Sequence, residues 1–125
     1  MIWEKKLVCI RFWSELTAEE CNQVQTVIFG DIRFDTLRGK VCDLREVTRV
    51  MITENDISHL TSFKHGAYLS NPNIRFAYIS TDNKIVELIN YAKTLTEYEL
   101  ETFPTVDEAK NWIDKITTRM RTSLR

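Results

Sequence analysis

The sequence is poor in the residues that most small catalytic and metal sites are built on. Among 125 residues it has three glycines (Gly30, Gly39 and Gly66), two prolines and two histidines. Isolated glycines make neither a G-x-G-x-x-G turn nor a P-loop ending in Gly-Lys-Ser/Thr, so neither phosphate cradle is encoded. The G-x-S-x-G nucleophile elbow and the H-E-x-x-H zinc helix are also missing. His59 and His65 are six residues apart, about 240° around a helix, and cannot form an i, i+4 metal pair. The three cysteines, Cys9, Cys21 and Cys42, include no C-x-x-C. They read as buried, reduced thiols, which points to a cytoplasmic protein. No run of roughly 18 apolar residues exists, so no membrane insertion is expected, and the first residues lack the pattern of a signal peptide. A net charge of -1 lacks the basic excess of a general nucleic-acid binder. No cofactor, metal or catalytic residue is indicated.

What is present is ordinary globular material, 43% hydrophobic and 28% charged, enough for one domain over 1–125. Residues 6–13 read as a first strand. Thr17 then caps a helix, with Glu20 closing a capping box and Leu16 stapling onto Cys21. Cys21, Val24, Val27 and Ile28 form the helix's apolar stripe, with Gly30 as its stop; 31–39 has no clear pattern. Residues 40–44 read as a second strand and 45–51 as a connector. Thr53 caps the next helix, with Asp56 at its third position and Ile57, Leu60, Phe63 and Ala67 as the stripe. The nearly continuous apolar run 74–79 predicts a strand buried on both faces. A third helix opens at Thr81 or Asp82. Tyr98, Leu100 and Thr102 then alternate with glutamates as a strand with one wet face. A capping box from Thr105 to Glu108 starts a last helix, with Val106, Ala109, Trp112, Ile113, Ile116 and Met120 on one side. Four β-then-α units predict a single α/β domain: a four- to five-stranded, mostly parallel sheet with about four helices.

In such sheets ligands sit beyond the carboxyl ends of the strands, where helix N-termini present free amides. That edge would gather Ser14 and Glu15, then Asp43 and Arg45, Thr53, and Ser80, Thr81 and Asp82. Asp43, Arg45, Thr53, Ser80, Thr81 and Asp82 are therefore the candidate ligand- or partner-binding residues. Thr53, Thr81 and Asp82 also read as plain helix caps, and Asp43 and Arg45 as satisfying backbone groups or pairing with each other. Catalysis would require Asp43, His59 or Asp82 to converge. Charge is uneven too: residues 96–108 hold five acids and no base, and 115–125 four bases and no acid. The latter reads as the basic end of a helix complementing its own dipole, or a tail for an acidic partner or a membrane surface.

Several stretches resemble the STAS-like family, which is similar to bacterial anti-sigma factor antagonists and to CRAL-TRIO lipid-transfer folds. They are the strand and cap of Arg11–Glu20, the run Val41-Cys42-Asp43-Leu44-Arg45-Glu46-Val47-Thr48, and the ending Phe103–Ile113 with its Ala-x-x-Trp helix. The resemblance implies a small regulatory or interaction module, often a homodimer and usually without catalysis, binding a protein partner. The lipid-transfer relatives imply the alternative, a carrier of a small apolar or amphipathic ligand held among Phe29, Phe34, Phe63, Tyr68 and Tyr91. Anti-sigma factor antagonists carry an Asp-Ser-Ser-Gly turn whose serine is phosphorylated. The matching Met51-Ile52-Thr53-Glu54 keeps one hydroxyl, so Thr53 is the possible phosphoacceptor, with Glu54 and Asp56 placed to repel a phosphate.

Overall fold

Short β-forming runs, each followed by a side chain able to cap a helix, build the molecule one β-α unit at a time. The structure, a computed structural model, describes residues 1–123, with side chains through residue 115. β1 (Ile2–Glu4) and β2 (Leu7–Thr17) form a hairpin, followed by α1 (Ala18–Phe29), a 3-10 turn (Ile32–Thr36) and β3 (Gly39–Met51). Then come α2 (Glu54–Ser70), β4 (Arg75–Ile79), α3 (Asn83–Thr94), β5 (Glu99–Phe103) and α4 (Val106–Ser123). The strands form one sheet in the order β1-β2-β3-β4-β5, antiparallel at β1 and parallel from β2 to β5. This is the expected single α/β domain with a mostly parallel sheet and four α-helices.

The caps follow the sequence closely. Thr17 accepts from the Glu20 amide at 3.2 Å, and Thr105 from that of Glu108 at 3.2 Å. Thr53 and Asp56 form a complete capping box, and α3 opens at Asp82 rather than Thr81. Within 31–39, Ile32–Thr36 form a 3-10 turn capped by Asp31, and Phe34 and Leu37 are buried. The buried Asn71 holds it down, its Nδ2 donating to the carbonyls of Phe34 (2.8 Å) and Leu37 (2.9 Å).

Two strand boundaries differ from expectation. β2 continues to Thr17, and the stretch 45–51 is not a connector but the second half of β3, paired from Trp13↔Glu46 to Thr17↔Met51. Two register shifts interrupt the pairing there, Ser14 takes a left-handed φ of 64°, and Leu16 just beyond it is buried. β4 pairs with β3 only along Gly39–Asp43, so beyond Asp43 β2 and β3 run on as a two-stranded ribbon.

One sheet face carries α1, α2 and α3 over Val8, Ile10, Phe12, Phe76 and Tyr78. The other carries α4, whose Ala109 and Ile113 pack on Leu7, Val41, Ala77 and Ile79. β4 is thus buried on both faces, as its composition predicts. Gly39 allows α4 this close, because a Cβ there would run into the side chains of Ile113 and Leu7. The expected positions Ile116 and Met120, and the basic Arg119, Arg121 and Arg125, lie outside the residues whose side chains are described.

Two helix stripes are rotated from their expected positions. In α1 Val27 is exposed while Gln25 and Ile28 are buried; in α2 Phe63 is exposed while Thr61 and Lys64 are buried.

Candidate functional site

The six polar residues expected at the carboxyl edge do not gather into one constellation. Asp43 and Arg45 lie within β3, on the α4 side of the sheet. They bond each other in a bidentate pair, Nε to Oδ1 at 2.9 Å and Nη2 to Oδ2 at 2.7 Å. That bonding holds the Asp43 carboxyl below the usual carboxylate range. Thr53 Oγ1 accepts from the Asp56 amide at 3.1 Å, and Asp56 Oδ2 from the Thr53 amide at 2.9 Å. A phosphoryl group on Thr53 would displace this box and face the Asp56 carboxylate. Ser80 Oγ accepts from the Asp82 amide at 3.1 Å, and Asp82 Oδ1 accepts from Lys84 and Ile85 at 3.0 and 3.1 Å. Thr81 is exposed. Asp43, His59 and Asp82 do not converge: His59 is an exposed residue of α2, on the opposite side of the sheet from Asp43. Among the described residues no group of three or more His, Cys, Asp and Glu side chains is placed to hold a metal ion, and no helix is long and apolar enough to cross a membrane.

Two other features stand out. The first is the half of the α4-side sheet face that α4 does not reach. Trp13 is 65% exposed there and Ile2 64% exposed, and with Cys9, Val41, Asp43 and Val106 they border one depression. Arg11 pairs with Glu46 at 3.5 Å beside the Asp43–Arg45 pair, so both charge signs lie next to the apolar residues.

The second is a cavity of about 70 Å³ between the sheet and α1, α2 and α3. Leu44, Val50, Ile57, Leu60, Ile85 and Ile89 supply much of an apolar wall, and Thr61, the Tyr78 hydroxyl and three amine or amide side chains break it: Lys40, Lys64 and Gln25. These are 3%, 9% and 2% exposed. Lys64 donates to the Tyr78 hydroxyl, and desolvation holds its pKa below the ordinary lysine value. Lys40, opposite Phe76 in the β3–β4 register, lies 5.7 Å from that ring's centroid, and Lys64 lies 5.6 Å from it. Gln25 Nε2 has no hydrogen-bond partner. Burial pushes the neighbouring Cys21 thiol up to about 11.

None of the five aromatics expected to hold a ligand lines this cavity. Phe29 packs on Phe34 and Phe63 at centroid distances of 5.1 and 5.5 Å, and Tyr68 on Tyr98 at 5.7 Å. Sequence reasoning gave Lys40 and Lys64 no part in a site. Their signal was positional: Lys40 shares the inward alternation of Cys42 and Leu44, and Lys64 falls four residues after Leu60.

The architecture is a STAS-like α/β fold. It is similar to the structure of the anti-sigma factor antagonist SpoIIAA in its unphosphorylated form, with a TM-score of 0.62 at 12% identity over 91% of this chain and 94% of that one. It is also similar to an uncharacterized protein of the DUF3478 family with a SpoIIAA-like fold from Shewanella loihica PV-4. There the TM-score is 0.52 at 16% identity, over 84% of this chain and 82% of that one. No protein-family model and no curated protein sequence matches the chain.

Proposed function

We propose that this chain is a non-catalytic regulatory module that acts by protein contact and pairs with a second copy of itself through the sheet face that α4 leaves open. The observation that carries this reading is Trp13, a large aromatic standing 65% exposed at the β2 register shift, on the same face as the equally uncovered Ile2. Exposed tryptophan flanked by apolar residues is typical of the centre of a protein interface. Arg11, Asp43, Arg45 and Glu46 around it balance in sign, so the patch is complementary to itself, as a two-fold interface requires. The fold shared with an anti-sigma factor antagonist supports a regulatory role. At the carboxyl edge Thr53 and Asp82 are engaged by helix amides, Ser80 by the Asp82 amide and Asp43 by Arg45, which supports reading them as structural rather than catalytic. The free cysteines fit a reducing, cytoplasmic setting.

Sedimentation velocity across the micromolar range tests the pairing. A wild-type dimer and a Trp13→Ser, Ile2→Ser variant shifted to monomer are the expected result, with unchanged circular dichroism. A monomeric wild type, or a dimer indifferent to both substitutions, overturns the proposal.

A further inference from the structure

Lys40 and Lys64 enter the core from different elements, β3 and α2, and end at the same cavity. Burying an ammonium is costly unless an acceptor or a counter-charge meets it. Neither lysine has an ion pair among the described residues, and the cavity lining includes no Asp or Glu. Lys40 has only the faces of Phe29 and Phe76, at 5.8 and 5.7 Å. Gln25 adds an amide donor without a partner. Lysine ammoniums only donate, and the Tyr78 hydroxyl that Lys64 meets and the Thr61 hydroxyl bring no negative charge, so the two amines of the cavity lack a counter-charge. An anion with several acceptor lone pairs would correct that.

The rest of the wall narrows the choice. Leu44, Ile57, Leu60 and Ile89 offer nothing to a fully hydrated inorganic ion and suit a carbon chain. A cavity of about 150 Å³ accommodates benzene, so one of about 70 Å³ limits the guest to a handful of non-hydrogen atoms. We infer that the cavity between the sheet and α1–α3 is a binding site for a small monocarboxylate of about two or three carbons. Its carboxylate sits between Lys40 and Lys64, within reach of Gln25, and its alkyl end packs on the Leu and Ile wall. The site lies on the opposite side of the sheet from Trp13, so this inference stands or falls independently of the pairing proposed above.

Thermal unfolding with propionate, against propionamide and chloride at matched ionic strength, is the first test. Propionate is expected to raise Tm by about 4 °C or more, saturably, while the neutral amide and chloride leave it unchanged. Lys40→Met and Lys64→Met are each expected to weaken the propionate response about tenfold or more, without lowering the unliganded Tm by a comparable amount. Should a variant fail to fold, methyl NMR of the wild type decides: propionate-induced shifts at Ile85, Ile89 and Ala92 support the site, and shifts confined to surface residues overturn it. An equal response to chloride, an undiminished response in both variants, or affinity that climbs from butyrate to octanoate also overturns it.

Discussion

Lys64 carries a measurable consequence of its own. Burial holds its pKa below the ordinary 10.5, so between that lowered value and 10.5 the unfolded chain binds a proton that the folded chain does not. Its contribution to stability therefore rises with pH across that window and is constant above it. Cys21 works in the opposite direction. Raised from 9.0 to about 11, it keeps its proton when folded and weakens the fold as pH climbs past 9.0. The quantity to follow is accordingly the difference between wild type and Lys64→Met in urea unfolding at a series of alkaline pH values. Wild type is expected to gain on the variant as pH rises towards 10.5; a constant difference would show that Lys64 is protonated in the fold. Gly39 sets a different limit. A methyl group there meets the Ile113 and Leu7 side chains, so Gly39→Ala should destabilise by about 1–3 kcal/mol through overpacking, read as a lower urea midpoint at constant m-value.

At the scale of elements the caps govern where helices begin. Thr53→Ala removes the acceptor for the Asp56 amide and should cost about 1 kcal/mol. Asp82→Ala, which frees two amides at once, should cost at least as much; an unchanged denaturation midpoint in either variant would show that its cap is not holding its helix. These caps were legible because the acceptor and the amide it serves are three residues apart or fewer. The same is true of β4, whose unbroken apolar run reflects burial on two faces. Ile2–Glu4 was not legible as a strand because three residues carry too little pattern. The second half of β3 was missed because the register shifts opposite Ser14 put Val47 and Val50 out of step with Cys42 and Leu44, so a strand reads locally as a connector. Helix stripes were legible to within one step. A polar Gln25 or Lys64 breaks the apolar rule, and Val27 and Phe63 took their places in the reading.

At the scale of the whole molecule, the candidate site was the least legible part. Thr53, Ser80 and Asp82 are visible as a polar edge because topology puts strand ends together, yet what occupies their hydrogen bonds is decided by local amides. The Lys40–Lys64 cavity needs two elements 24 positions apart to meet over Phe76, and no local spacing encodes that. The strand order has a further consequence during synthesis. Each of β2 to β5 pairs with its predecessor in sequence, so the sheet can be laid down strand by strand from the amino end without any strand being inserted between two others. The layer of α1, α2 and α3 is completed by Thr94. The opposite face, with Leu7, Val41, Ala77 and Ile79, stays open to water until Ala109 and Ile113 have left the ribosome. A nascent chain halted after β5 would thus carry a nearly finished sheet with one bare apolar side. In that interval the chain is most exposed to aggregation and to capture by chaperones.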